Sequence, residues 1–158
     1  MTLVALDASS KKTGVSIWIG KKYSTSLLLD YSNTDDTEER LAQMCDAIWD
    51  LLNKCRPTVV YIEDTYCGNN PKVQTLLNRI QGVTYAWCLR KNQKFRTIKP
   101  TSWRKYIDGF PNGRGIKRTE LKSFSVEYVK RKYKIECNDD VADAILIGEA
   151  AMQIEGGD

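Results

Sequence analysis

Four carboxylates stand where strand ends and a helix start would gather them. Asp7 follows the apolar run Leu3-Val4-Ala5-Leu6, and Glu63 follows Val59-Val60-Tyr61-Ile62. A charge at the end of a buried strand is costly unless it is paired or metal-bound. Ligands of an open α/β sheet bind outside the C-terminal ends of the strands, so two such acids can share one cation. Asp139, Asp140 and Asp143 open the last apolar-periodic segment. Asp140 and Asp143 are i and i+3, on one helix face and about 5–6 Å apart; Asp139 and Asp143 are i and i+4. Carboxylates with no imidazole or thiolate beside them make a hard-cation site, suited to Mg2+ or Mn2+. A pair of divalent ions also removes the repulsion among them. The helix acids have a second reading, as complements to the helix dipole, and Asp139 serves equally well as an N-cap. Asp64 alternates to the face opposite Glu63 and reads as a loop acid behind the site.

The chain has 158 residues and no histidine. That excludes a Ser-His-Asp triad, a Cys-His pair and the histidine-containing zinc motifs, so acid–base or metal chemistry rests on Asp and Glu. The five cysteines, Cys45, Cys55, Cys67, Cys88 and Cys137, are odd in number and form no CxxC pair. They fit free thiols in a reducing compartment. No apolar run approaches the roughly 18 residues of a membrane span. The first seven residues lack a basic region and reach an acid early, unlike a signal peptide. We expect one cytoplasmic domain over residues 1–158, with no membrane partner.

Charge is unevenly distributed. Residues 1–98 carry 13 basic and 10 acidic side chains, residues 99–134 carry 11 and 3, and residues 135–158 carry none and 7. A basic block followed by an acidic one suits a site that attracts a polyanion and holds cations; two differently charged solvated faces are the plainer alternative.

The elements that must position these groups follow from apolar periodicity. Leu3–Leu6, Val15–Ile19 after Thr13-Gly14, and Tyr23–Leu29 after the turn Gly20-Lys21-Lys22 read as a three-strand antiparallel meander. Leu41, Met44, Cys45, Ile48, Leu51 and Leu52 mark a helix over 35–52 with an acidic first turn, stopped by Pro57. Val59–Ile62 is a strand. Residues 71–89 are helical, with Val73, Leu76, Leu77, Ile80 and Val83 on one side and Gly82 where close packing is wanted. Phe95–Ile98 is a fifth strand. Thr101-Ser102-Trp103 begins a short helix, capped before its apolar residues, and Trp103 is a core residue by its apolar setting. Residues 108–115 are a turn-rich loop, 117–133 a helix, and Asn138 or Asp139 caps a last helix. That helix's apolar stripe is Val141, Ala144, Ile145, Ile147, Gly148 and Ala151. The order predicts an α/β protein, a five-stranded mixed sheet with helices on both faces.

Lys99, Arg104, Lys105, Arg114, Lys117, Arg118 and Lys122 cluster around the glycine-rich loop and the helix start after it. Backbone N–H groups at a helix N-terminus favour phosphate, so Lys117-Arg118 is the leading phosphate contact. Lys130-Arg131-Lys132 and Lys134 end the same helix and read as dipole complements.

Read in order, these pieces resemble the RuvC family of Holliday junction resolvases, within the RNase H-like (retroviral integrase-like) superfamily. The resemblance rests on Asp7 at the first strand end with Thr13-Gly14 after a short loop, on Glu63 ending the fourth strand, on Asn70 leading to Gln81-Gly82, and on Asp140-Val141-Ala142-Asp143-Ala144. The family's Asp-Pro-Gly is Asp7-Ala8-Ser9 here, which makes a phage or viral branch plausible. The resemblance implies an RNase H-like fold and a nuclease that cuts four-way or other branched DNA, leaving 5′-phosphate and 3′-hydroxyl ends. It implies two Mg2+ ions on Asp7, Glu63, Asp140 and Asp143, with Asp7 bridging and Mn2+ able to substitute. It also implies an aromatic, Tyr66, stacking in the junction, against which stands a tyrosine packed in its loop, and a homodimer, for which the apolar side of the 71–89 helix is a candidate interface. Two alternatives remain at this stage: another RNase H-like nuclease, acting on flaps or RNA–DNA hybrids, and a non-catalytic junction-binding module. A sugar-kinase or actin-like ATPase shares the early Asp and Thr-Gly but needs two such domains.

Overall fold

The computed structural model describes residues 1–64 and 70–157. Tyr66 and Cys67 lie outside the described residues. Three strands, β1 (Thr2–Asp7), β2 (Lys12–Ile19) and β3 (Lys22–Asp30), form the expected meander. Helix α1 (Thr37–Cys55) leads to β4 (Val59–Glu63), α2 (Pro71–Arg90) to β5 (Lys94–Ile98). Then come α3 (Pro100–Trp103), a 3-10 turn over Arg104–Tyr106, α4 (Arg118–Tyr133) and α5 (Asp139–Gly156). The sheet order is β3-β2-β1-β4-β5, with β2 antiparallel to β1 and β3, and β4 and β5 parallel to β1.

Alternation along the strands splits the core between two faces. Val4, Leu6, Val15, Ile17, Val60 and Ile62 pack under α1 and α2. Leu3, Ala5, Trp18, Val59 and Tyr61 pack under α4, α5 and the short helix. Helices therefore cover both faces, as the pattern predicts.

Helix ends differ from the sequence reading where capping chemistry intervenes. In α1, Asp36 is the cap, its side chain accepting from the Glu39 N–H, and the helix runs on to Cys55 until Arg56 turns left-handed. At α3, Lys99 occupies the cap position without a side-chain bond and Pro100 starts the helix, so Thr101 and Ser102 are not its cap. Proline suits that place because its missing N–H needs no partner there. In α5, Asn138 is the cap, accepting from the Val141 N–H at 3.0 Å.

Helix α5 departs most from the one-sided stripe expected of it. It is buried from Val141 to Met152 except at the half-buried Asp143, wedged between the sheet and α4. Two glycines permit this. A Cβ on Gly148 would stand 2.1 Å from the Trp18 indole nitrogen, and one on Gly14 would stand 1.9 Å from the Asp140 carbonyl oxygen. Between them, the Ser16 hydroxyl donates to the Ala144 carbonyl at 2.6 Å and accepts from Trp18 Nε1 at 3.0 Å. Gly82 does the opposite of what its place in α2 suggests: a Cβ there would meet nothing within 4 Å. Within the described chain it brings no element closer.

Candidate active site

Asp7 and Glu63 end neighbouring parallel strands in register, Leu6 opposite Ile62, so their carboxylates emerge side by side at one sheet edge. Strands lie about 4.8 Å apart. Gly14 sits opposite Asp7 on β2, and there the first turn of α5 settles directly on the sheet. Its missing side chain is what lets Asp140 and Asp143 reach the strand-end acids. Thr13, fully buried, pins the loop in between: its hydroxyl donates to the Ser9 carbonyl at 2.9 Å and accepts from the Ser9 N–H at 3.1 Å.

The result is a cleft of about 690 Å3 lined by Asp7, Glu63, Asp140 and Asp143 together with Arg104, Arg118 and Lys122. The four acids line it without closing into a ready-made ligand cluster among the described residues. Asp64 lines it too, rather than turning away. It lies just past the end of β4, where strand alternation no longer governs direction, and its N–H continues the ladder to the Ile98 carbonyl at 2.9 Å.

Electrostatically the cleft is under strain. Burial, followed by Glu63, Asp143 and Asp140, holds the Asp7 carboxyl well above the usual carboxylate range. Burial also raises Glu63, opposed first by a hydrogen bond from Trp103, and raises Asp143, opposed first by Ser125. Asp140 is raised by burial and then by Asp139. An all-oxygen set of buried, mutually repelling carboxylates fits a divalent hard cation, which relieves the repulsion and favours their charged forms.

Two supporting groups escaped the sequence reading. Trp103 is fully buried, as expected of a core residue, but its Nε1–H donates to Glu63 Oε2 at 2.7 Å. Ser125 of α4, also buried, donates its hydroxyl to the Leu121 carbonyl at 3.2 Å and acts to lower the Asp143 pKa against the effect of burial. Neither has a local sequence signal, since each meets its acid only across the fold. Trp103→Phe keeps an aromatic side chain, smaller than the indole, and removes the donor. Junction-cleavage kinetics should show kcat lower by about 10- to 100-fold, the scale of losing a hydrogen bond that orients a group at such a site, with little change in KM. An unchanged kcat would mean the indole is only packing.

Of the seven basic residues singled out, Arg104, Arg118 and Lys122 line the cleft. Lys122 is also ion-paired with Asp139, which removes Asp139 from the four facing acids and lowers its pKa. Lys105 lines an adjoining cavity. Lys99, Arg114 and Lys117 are exposed beyond the cleft wall. In the run ending α4, Lys130 pairs with Glu136 at 2.8 Å and Lys132 with the buried Glu149 at 2.6 Å. Glu149 also accepts from the Tyr128 and Tyr133 hydroxyls at 3.0 and 2.6 Å. The described cysteines are free, and burial raises their thiols, Cys88 to about 11, which suits structural rather than reactive roles.

A mixed sheet with its reversed second strand, acids at two parallel strand ends, and a helix returning two more acids to that edge define an RNase H-like architecture. A family model described as crossover junction endodeoxyribonuclease RuvC matches residues 3–149. The chain belongs to the RuvC family. Among curated relatives, the RuvC of Rickettsia akari (strain Hartford) is 24% identical over 126 residues, covering 80% of this chain and 78% of that protein. That of Salinibacter ruber is 24% identical over 151 residues, covering 93% and 82%. Among solved structures, Thermus thermophilus RuvC in complex with a Holliday junction substrate superposes with a TM-score of 0.75 at 13% identity, covering 99% of this chain and 96% of that one. The yeast mitochondrial Holliday junction resolvase matches with a TM-score of 0.60 at 14% identity, covering 98% and 78%.

Proposed function

We propose that this chain is a structure-selective endonuclease that hydrolyses phosphodiesters in Holliday junctions or other branched DNA, with residues 1–158 acting as one cytoplasmic nuclease domain. The observation that carries the reading is the Gly14 contact, by which two strand-end acids and two helix acids come to share one cleft with three basic side chains. Asp7, Glu63, Asp140 and Asp143 would hold two Mg2+ ions, with Mn2+ as a substitute. Bound there, such ions supply an activated water and stabilise the leaving 3′ oxygen, giving 5′-phosphate and 3′-hydroxyl ends. Trp103 would hold the Glu63 carboxylate in place, its hydrogen bond opposing the rise in pKa that burial causes. Arg104 and Arg118 attract the phosphodiester into the acid-lined cleft and offset its negative field. Lys99, Lys105, Arg114, Lys117 and Lys122 would extend that attraction along the DNA arms, and Tyr66 would stack on an unpaired base at the junction.

The direct test is cleavage of a labelled synthetic four-way junction with Mg2+, beside a flap and an RNA–DNA hybrid. Preferential, paired cutting of the junction is expected; preferential cutting of the hybrid or flap would move the protein to another branch of RNase H-like nucleases. The basic residues make a separate prediction. Lys117→Ala with Arg118→Ala should weaken metal-free junction binding and flatten its dependence on log salt by about 2, at roughly 0.9 per phosphate contact. Lys130→Ala with Arg131→Ala should change the slope far less.

Paired cuts on a two-fold junction call for a homodimer. On α2, Ile80 is fully buried and Leu76 packs into the core, while Val73 of the same side is 40% exposed. Tyr85 and Leu89, 50% and 67% exposed, add accessible apolar surface along the helix, and the space over Gly82 is open. Sedimentation equilibrium should give the mass of two chains, and Leu89→Arg should give one.

A further inference from the structure

Beside the acid-lined cleft lies a second cavity of about 510 Å3, and the two share Arg104 and Leu121 as a common wall. Their chemistries differ sharply. The cleft gathers five acids, whereas no acid among the described residues lines the second cavity. It combines an apolar lining that includes Phe110 and Ile116 with the cations Arg104 and Lys105 and the amide of Asn112. A cavity of that kind repels a metal ion and suits a flat, partly apolar anion.

Arg104 is held as a plate at the junction of the two spaces. Its guanidinium carbon lies 5.1 Å from the Trp103 ring centre and 5.5 Å from that of Phe110, and its buried Nε has no hydrogen-bond partner among the described residues. A planar guanidinium backed by aromatic rings is a stacking surface for a base as well as a phosphate contact. The rim is the 109–115 loop, in which Gly109, Gly113 and Gly115 all take positive φ, a backbone path that residues with side chains rarely adopt, and added Cβ atoms there would meet open space or ordinary contact. The volume lies within the range of ligand pockets and accommodates one nucleotide.

We infer that this second cavity is a nucleotide subsite, taking the base that adjoins the scissile phosphodiester once it has unstacked from the junction. The inference rests on the junction-cutting function proposed above. With the phosphodiester among the cleft acids, one neighbouring nucleotide crosses the Arg104 wall; its base lies against Phe110 and Ile116, and Lys105 faces its outer phosphate. A base held there draws the strand out of its stack and brings the reacting phosphate into register.

The test uses a four-way junction with a single abasic residue at each position around the cut, in turn. Metal-free binding and single-turnover cleavage with Mg2+ are measured for the unaltered protein and for Ile116→Trp, whose ring would fill the mouth; thermal melting checks that variant's fold. One position, next to the cut, should lose about tenfold in binding and in cleavage when its base is removed, in line with one stacked base. Ile116→Trp should show that loss on the intact junction and no further loss on the abasic one. Uniform binding and cutting across the abasic series would overturn the subsite while leaving the junction function standing. So would an equal penalty at the sensitive position in the unaltered protein and the variant, since the base would then be held elsewhere. Failure to bind or cut the intact junction would overturn the function, and the subsite with it.

Discussion

Asp7→Asn should leave no measurable Mg2+-dependent cutting of a four-way junction, should bind that junction as tightly as the unaltered protein, and should melt at a higher temperature without metal. The first two results follow from position: the substitution removes charge where the two strand-end and two helix acids meet, and leaves shape and the basic wall intact. The third follows from linkage. Folding raises the Asp7 pKa well above its ordinary value, by burial first and then by Glu63, Asp143 and Asp140. The folded state therefore holds that proton to higher pH than the unfolded chain does. The metal-free fold loses stability as pH rises from the ordinary aspartate value to the raised folded one, and that loss persists above it. Asparagine does not ionise and escapes the loss, so at neutral pH with chelator the variant should melt about 2–4 °C higher for each kcal/mol of repulsion removed. Scanning calorimetry and a junction-cleavage assay read both sides. A lower melting temperature, or substantial cutting, would remove Asp7 from the centre of the site.

Gly14→Ala should be nearly as damaging to cutting, although it touches no substrate. The added methyl would lie 1.9 Å from the Asp140 carbonyl oxygen, 2.4 Å from its carbonyl carbon and 2.9 Å from the Val141 nitrogen, all backbone atoms that no rotamer can move aside. The first turn of α5 must lift away from the sheet, carrying Asp140 and Asp143 with it. Overpacking of this kind costs about 1–3 kcal/mol. A shift of about 1 Å in reacting groups is enough for roughly 100-fold in rate. Cleavage should fall at least that far, with a lower melting temperature and with junction binding retained through the exposed basic residues. Cutting at the level of the unaltered protein would show that the α5 acids are not positioned through this contact.

These two residues mark what was legible in the chain and what was not. Asp7 stands out because a charge ending an apolar strand needs a reason, and Glu63 repeats the signal; the parallel register of β1 and β4 then sets them together. The Asp140 and Asp143 spacing declares a shared helix face whatever the fold. Local physics also settles the meander, the two-faced alternation and the order of the helices, because each is written in neighbouring residues. Tyr66 was named on resemblance and lies outside the described residues.

The rest depends on contacts between residues far apart in the chain, which periodicity does not encode. Trp103 has the pattern of a core residue and is one, yet its indole N–H is spent on Glu63, 40 positions away. Gly82 suggests close packing and finds open space, whereas Gly14 and Gly148, unremarkable in a strand and a helix, are where α5 meets the sheet. The basic block likewise divides only in three dimensions: Arg104, Arg118 and Lys122 turn to the acids, Lys132 goes to a buried glutamate, and Lys99, Arg114 and Lys117 remain on the surface. The sequence by itself determined which strands and long helices form, which strand faces they bury and which acids reach the sheet edge, because those follow from local alternation and helical spacing. Only the tertiary structure decided how close α5 lies to the sheet, which groups hold the acids and where the second cavity opens, because each is a distance between segments that only packing sets.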